Sequence, residues 1–313
     1  MRAASITVDL DTSRFYRDIH GLEQSTPAGA VDSIYTVGVR RLLDLFETHA
    51  IPSTLFVIGE DVDAPEHAEL LTEAHQAGHE LANHTYHHRY DLRAQSHVAI
   101  VQDITRGEEA IERITGATPQ GFRTPGYNID VQIFEEIERR GYLYDSSVFS
   151  CPPYYLAKGA IMGLMKLKGK PSRSMMTPAS SNIAPTNAYR PSRSNIWRKD
   201  RRSQRMWEIP MCVLPGVRFP LIGTSLHLLG AKGFAAALPL LEFSYPHLIQ
   251  LEFHAIDFMD ENDPGMKDLA EVQPDLRVPW EQKRDLYSAI FAMLAKKHTF
   301  MALRDAVHKL QTK

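Results

Sequence analysis

The sequence predicts an α/β fold organised around a parallel β-sheet. Short apolar runs alternate with amphipathic helical patterns through the first half of the chain, as they do in repeated strand–helix–strand units. The 313 residues are enough for one large α/β barrel or for two ordinary domains. Apolar residues make up 43% of the chain and charged residues 23%, which is the composition of a globular protein.

The predicted strands and helices follow one another in order. The apolar runs that predict strands lie at 6–9, 53–58, 79–82, 121–123, 141–145, 206–210 and 248–254. The amphipathic patterns that predict helices lie at 31–49, before 78, and at 96–115, 130–140 and 280–297. In the first of these helices Val39, Leu42 and Phe46 share one face, which predicts that it packs on the sheet. A last short strand and a helix are expected to close the chain.

Residues 150–205 interrupt the alternation and are predicted to form a long insertion. The stretch 151–207 carries twelve Lys and Arg but one acid, Asp200, so its net charge is +11 and the rest of the chain carries −14. One interpretation is a solvated insertion that closes over a site. Another is contact with an anionic membrane surface, because residues 156–168 mix apolar side chains with lysines. A nucleic-acid partner is not predicted, since no RNA- or DNA-binding motif accompanies the basic residues.

Cysteine content and the N-terminus lead to a predicted location in the cytoplasm. The two cysteines, Cys151 and Cys212, are too few for a disulfide framework and are expected to be idle or buried thiols. The chain runs into its first strand without an apolar signal region. The stretch 219–243 is interrupted by prolines and polar residues, so no membrane-spanning segment is expected. A peripheral position at the inner membrane surface is a variant of this prediction.

Chemically reactive side chains fall where predicted strands end. Because active sites of α/β barrels lie at the carboxyl ends of the strands, these residues are expected to converge. They are Asp9, Asp11, His84, His88, Arg123, Asp145 and His254. His84 and His88 are four residues apart, a spacing that would let both rings reach one ion from a single helical turn. Two imidazoles and a carboxylate make a metal site, with one carboxylate left to act as a base.

Five ordered fragments resemble the motifs of the polysaccharide deacetylase (NodB-homology, carbohydrate esterase family 4-like) family. They are residues 7–11 (TVDLD), 78–88 (GHELANHTYHH), 123–126 (RTPG), 144–147 (YDSS) and 251–254 (LEFH). The similarity covers about 5–150 and 206–305, in the expected order. It implies a distorted (β/α)7-type barrel of NodB-like form, with a long basic insertion at about 150–205. Residues 1–313 would then be one catalytic domain, closed by helices at about 280–311.

The resemblance also implies roles for individual residues. Asp11, His84 and His88 would hold one divalent ion, which in this family is commonly zinc. Asp9 would be the general base, oriented and kept ionised by Arg123, and His254 would protonate the departing amine. Asp145 joins this catalytic set as the carboxylate that would adjust the pKa of His254, with Glu208 and Asp257 as alternatives.

Two positions depart from the usual family pattern. Leu10 separates two aspartates that are commonly adjacent, which assigns the chain to an Asp-x-Asp branch and leaves the division between base and ligand open. Gly126 stands where an aromatic residue is more frequent, so that wall of the cleft would be missing or supplied by Tyr127.

The function implied is a hydrolase of non-peptide carbon–nitrogen bonds. It would remove an acetyl or formyl group from an N-acylated amino sugar, and the basic, apolar insertion favours a lipid-linked or cell-envelope saccharide. An allantoinase-like hydrolase of small non-sugar amides or imides is the alternative. The sequence determines neither the sugar nor the oligomeric state.

Overall fold

The computed structural model describes residues 2–24, 27, 30–167, 169, 172 and 174–312. The strands are β1 Arg2–Asp9, β2 Thr54–Val57, β3 Glu80–Asn83, β4 Gly121–Phe122, β5 Tyr144–Asp145, β6 Trp207–Glu208, β7 Val213–Leu214, β8 Phe219–Pro220, β9 Leu248–His254 and β10 His298–Phe300. The α-helices are α1 Ser13–His20, α2 Arg40–Thr48, α3 Pro65–Gln76, α4 His97–Thr115, α5 Val131–Arg139, α6 Pro152–Leu167, α7 Gly223–Ser244, α8 Leu269–Val272, α9 Trp280–Ala295 and α10 Leu303–Gln311. A π-helical segment, Ile34–Val39, leads into α2.

In the described part of the chain, eight parallel-paired strands form one sheet, in which β1 pairs with β2, β9 and β10. Strands β1 to β6 are neighbours in chain order, while β9 pairs along most of β1 and β10 pairs with its first residues. Beyond β6 the chain forms the antiparallel hairpin β7–β8, and Ile222 then pairs with Glu252 of β9. The hairpin segment thus connects the two edges of a curled, incomplete barrel. The predicted distorted (β/α)7 architecture is confirmed.

The faces of the central strands alternate between apolar and polar. Ile6 and Val8 of β1, like Leu251 and Phe253 of β9, are fully buried in the core that packs against the helices. The intervening positions carry polar side chains that lie inside the barrel. The polar positions are Ser5, Thr7 and Asp9 on β1, and Gln250, Glu252 and His254 on β9. This two-residue period places the reactive side chains on one interior surface.

Helix α7 is long and apolar enough, by length and composition alone, to cross a membrane. This differs from the prediction that prolines and polar residues interrupt the segment too often. However, Leu226, Phe234 and Leu241 are buried in the main core and the helix bends at Gly230, which has a φ of 64°. The helix therefore has the arrangement of an element packed against the domain.

Described residues of the insertion lie at both ends of the barrel. Helix α6 lies at the carboxyl ends of the strands, where Tyr154 lines the same cavity as Asp9. Arg190, Arg193 and Arg205 instead border a cavity lined by Gln120 and Leu143, which directly precede β4 and β5. Among the residues that the structure describes, these three arginines therefore do not share a surface with α6.

Candidate active site

Asp9, at the end of β1, is bound by a buried arginine. Arg123 follows β4, and its Nη1 donates to Asp9 Oδ1 while its Nη2 donates to Ser146 Oγ at 3.0 Å. The guanidinium lies 4.0 Å from the ring centroid of Phe56. Burial by itself would raise the pKa of Asp9, but the charge of Arg123, helped by His84 and His254, outweighs it and lowers the pKa. Asp9 is therefore ionised and held in one orientation.

His84 and His88 lie in the loop that follows β3, not on a helical turn. Thr85 and His88 have positive φ angles of 66° and 52°, so the single-turn prediction is wrong. The side chain of Asn83 holds the loop, because its Oδ1 accepts from the backbone N–H of Thr85 at 2.8 Å. A Cβ at Gly107 of α4 would come within 2.3 Å of that Oδ1, so a glycine is required there.

The two rings nevertheless face one carboxylate. His84 Nε2 lies 3.7 Å, and His88 Nε2 3.3 Å, from Asp11 Oδ1. His84 Nδ1 donates to the carbonyl oxygen of Arg123 at 2.7 Å, which leaves the Nε2 lone pair directed at Asp11. Burial lowers the pKa of His84 to about 4 and that of His88 well below its usual value, so both are neutral, as ligands must be.

These three side chains fit a divalent cation. Their donor atoms lie within 4.8 Å of one another. Asp11 Oδ1 is buried and has no hydrogen-bond partner within the described part of the chain. Burial raises the pKa of Asp11 to about 7, so a nearby positive charge would be needed to keep it ionised. Two imidazoles with one carboxylate are a ligand set of catalytic zinc sites.

His254 carries a carboxylate partner that the sequence analysis missed. Its Nδ1 lies 3.1 Å from Glu252 Oε1, and its Nε2 lies 4.0 Å from Asp9 Oδ2. Burial would lower the pKa of His254, but the charge of Glu252, followed by those of Asp11, Asp9 and Asp257, raises it to about 9. His254 is therefore protonated at neutral pH, with its Nε2 toward the cavity. The sequence contained this information, because Glu252 and His254 are two residues apart on a predicted strand and such residues share a face.

None of the three carboxylates named from the sequence is the partner of the His254 ring. Asp145 accepts from Ser147 Oγ at 2.6 Å and shares a buried hydrogen bond with Glu208. Burial raises the pKa of both these carboxyl groups, as expected for a pair that shares a proton. Asp257 Oδ2 accepts from the backbone N–H of His254 at 2.8 Å and so positions its backbone. The assignment of Asp145 to the pKa of His254 is therefore corrected to Glu252, while Asp257, one of the alternatives, contributes less.

The site opens into a cavity of about 250 Å³. Aromatic side chains form much of its wall: Tyr16, Tyr90, Tyr127 and Tyr154. Gly126 has a φ of 60°, and a Cβ there would lie 2.8 Å from Tyr90. Tyr127 thus supplies the aromatic wall that Gly126 cannot, and its ring centroid lies 5.4 Å from that of Phe149.

Comparison with protein families gives a match over the first half of the fold. Residues 25–144, which include both loop histidines and Arg123, match the family model of polysaccharide deacetylases. This segment is similar to the polysaccharide deacetylases. The chain is 28% identical over 157 residues to a peptidoglycan deacetylase of Helicobacter pylori, covering 49% of this chain and 52% of that protein. The chain thus spans about half the length of this curated relative.

Solved structures share the fold over almost the whole chain. A Mycobacterium smegmatis protein assigned to the polysaccharide deacetylases superposes with a TM-score of 0.59 at 18% identity, covering 99% of this chain and 90% of its own. Puue allantoinase superposes with a TM-score of 0.55 at 15% identity, covering 98% and 89%. At these identities the likeness concerns the fold alone.

Proposed function

We propose that this protein is a metal-dependent amide hydrolase that removes the N-acyl group of an amino sugar. One observation carries the proposal. The metal-binding set Asp11, His84 and His88 opens into the same cavity as an ionised Asp9 and a protonated His254. Hydrolysis of an amide needs these elements: an electrophilic centre, a base and an acid.

The ion would supply Lewis acidity. A divalent ion held by Asp11, His84 and His88, zinc by its preference for such donors, would polarise the amide carbonyl and lower the pKa of water toward about 7. Metal dependence itself is part of the proposal.

The side chains move the protons. Asp9 takes a proton from the attacking water as the new carbon–oxygen bond forms, and Arg123 keeps Asp9 available by fixing its other oxygen. His254 gives its Nε2 proton to the amide nitrogen as the carbon–nitrogen bond breaks, so the leaving group departs as a neutral amine. Glu252 stabilises the protonated ring before that step. The products are a free amine and a short carboxylic acid.

The proposed substrate is an N-acetylated or N-formylated saccharide that is lipid-linked or part of the cell envelope. The name of the H. pylori relative, a peptidoglycan deacetylase, supports a saccharide substrate. Exposed apolar residues on α6, beside the cavity, support a lipid-linked one.

We propose that the exposed side of α6 also contacts a membrane. Leu156, Ile161, Leu164 and Leu167 are 69%, 58%, 53% and 87% exposed, and Lys166 of the same helix is exposed as well. Apolar and cationic side chains together favour an anionic bilayer surface. Because Arg190, Arg193 and Arg205 lie at the opposite end of the barrel, α6 is the described part of 156–205 that we propose as the contact.

Substrate assays test the proposed function. The zinc-loaded protein would be incubated with N-acetylated oligosaccharides, with lipid-linked acetamido and formamido sugars, and with allantoin. Released acetate or formate from a saccharide supports the proposal. Ring-opened allantoin without saccharide hydrolysis would establish the allantoinase-like alternative instead. Asp11→Ala, which removes a proposed metal ligand, serves as the inactive control.

A further inference from the structure

Helix α6 of the insertion brings a cation to the active-site cavity. Tyr154 and Lys158 are four residues apart on one face of the helix, and both line the cavity that holds Asp9, Asp11 and His254. The ring of Tyr154 packs against Phe149 with centroids 5.1 Å apart, which fixes this face of the helix toward the barrel. Lys158 is therefore directed to the site by its position in α6.

Lys158 lacks the partner that other inward-facing cations have. Lys283 donates to the carbonyl oxygen of Met259 at 2.7 Å, and Arg17 pairs with Asp268. Among the residues that the structure describes, no hydrogen bond or ion pair satisfies the Lys158 ammonium. Burial lowers the pKa of Lys158 to about 8. A partly buried, unpaired ammonium is unfavourable until an anion joins it.

The cavity also offers neutral hydrogen-bond donors. Ser174, Thr224 and Gln273 line it together with Lys158. Lysine with hydroxyl and amide donors is a usual combination for phosphate groups, where the ammonium acts as a point charge. At about 250 Å³ the cavity is small, so Lys158 and the metal-binding residues would face the same ligand.

We propose that Lys158 determines specificity by binding a phosphate ester on the amino sugar whose N-acyl group is removed. This inference rests on the proposed function and narrows its substrate class to phosphorylated N-acyl amino sugars. The phosphate could belong to a lipid carrier or to a soluble sugar phosphate. Because the outer face of α6 is apolar, both sources enter the test.

Three probe substrates separate these cases with the zinc-loaded enzyme. They are N-acetylglucosamine 1-phosphate, its neutral methyl glycoside, and a polyprenyl-phosphate-linked N-acetylglucosamine. We expect the wild-type kcat/KM to be about tenfold or more higher for the phosphorylated probes than for the neutral one, as for other hydrogen bonds to charged groups. Lys158→Met should remove this preference by raising KM, with kcat changed little, and Lys158→Arg should keep part of it.

Lys166→Met is the matched control, since Lys166 is an exposed lysine of the same helix. It should behave as the wild type in every assay with soluble probes. A preference for the polyprenyl probe over the soluble phosphate identifies the lipid carrier as the source, and the reverse identifies a soluble sugar phosphate.

Equal wild-type rates on charged and neutral probes would overturn the inference while leaving the proposed function intact. So would an equal loss on all three probes in Lys158→Met. If the wild type hydrolyses none of these probes and none of the saccharides in the substrate assays above, the proposed function fails, and calorimetry then decides the inference. Glucosamine 1-phosphate should bind the wild type about tenfold or more tightly than Lys158→Met, and equal binding would contradict the role of Lys158.

Discussion

At the scale of single residues, the central feature is the different role proposed for each of the two aspartates on either side of Leu10. Leu10 is fully buried among apolar core residues, whereas Asp9 and Asp11 both reach the cavity. Asp9 Oδ1 accepts from Arg123, while Asp11 Oδ1 lies near two histidine nitrogens and has no hydrogen-bond partner among the described residues. This difference in partners supports Asp9 as the base and Asp11 as the metal ligand.

Replacing Asp9 tests that division. Asp9→Asn should keep about one metal ion per chain, because the proposed ligands are untouched, and should lower kcat by about 10² to 10⁴ through loss of the base. Elemental analysis and kcat on the same preparation measure both effects. Asp11→Ala should instead lose the metal. If Asp9→Asn also lost the metal, Asp9 would be a ligand and the division would be wrong.

Glu252 should control the basic limb of the pH–rate profile. An acid catalyst works below its pKa, so kcat/KM should fall as pH rises through the raised pKa of His254, about 9. In Glu252→Gln the largest cause of that raised pKa is absent, so the limb should move to lower pH. The profile of kcat/KM from pH 6 to 10 measures the shift.

Asp145→Asn is the matched comparison for Glu252→Gln. Its carboxyl bonds to Ser147 and Glu208 and not to His254, so the basic limb should stay in place. A shift in Asp145→Asn with none in Glu252→Gln would reverse the assignment made from the structure.

At the scale of secondary-structure elements, strand register places the site. Asp9 pairs directly with His254 across β1 and β9, and Val57 pairs with Asn83, which precedes the histidine loop. Short strands with a polar interior face therefore bring residues from distant parts of the chain to one end of the barrel. Register shifted by one residue would turn these side chains into the outer core.

The start of β3 depends on a neutral histidine. The buried His79 accepts from the backbone N–H of Ser53 at Nδ1, 3.2 Å away, and burial lowers its pKa to about 4. The unfolded chain, with a histidine pKa near 6.5, then binds the proton first, so stability falls as pH drops from about 6.5 toward 4. At pH 5, protonation of His79 in the unfolded chain lowers the free energy of unfolding by about 2 kcal/mol.

His79→Gln isolates the effect. The difference in unfolding free energy between wild type and variant should shrink by about 2 kcal/mol between pH 7.5 and pH 5. Urea titrations at both pH values measure it. A difference that stays constant across this range would show that His79 does not titrate in the expected window.

Helix α6 should mediate binding to anionic bilayers. Leu164→Asp with Leu167→Asp removes apolar side chains from its outer face and adds like charge, so co-flotation with anionic vesicles should fall by about tenfold or more. Val98→Asp, an exposed apolar site on α4, is the control and should leave flotation unchanged. Equal flotation of all three proteins would exclude α6 as the contact. The cytoplasmic location itself stays a prediction.

At the scale of the whole molecule, metal binding should couple to folding. Asp11 and His88 belong to loops that follow different strands, so an ion held between them would bind the folded chain more tightly than the unfolded one. Addition of a chelator should lower Tm by about 5 °C or more. Asp11→Ala should melt at the same temperature with and without chelator, as followed by differential scanning fluorimetry.

Much of the architecture is determined by local patterns in the sequence. Strand β9 was predicted at its observed bounds, and α4 and α9 within a few residues, because periodicity and turn residues act over short distances. The structure also brings Asp9, Asp11, His84, His88, Arg123 and His254 to one end of the barrel, since parallel strands share their carboxyl ends. Both cysteines are free and buried, as expected.

Other features depend on three-dimensional packing and could not follow from spacing alone. The i, i+4 histidines lie in a loop with positive φ angles because Asn83 and Gly107 fix the backbone there. Glu252, not Asp145, contacts the His254 ring, and Lys158 reaches the cavity while arginines of 190–205 lie at the other end. The sequence by itself thus determined which chemical groups are present and at which strand ends. The tertiary structure decided which of them touch, because contacts between distant residues depend on register and packing.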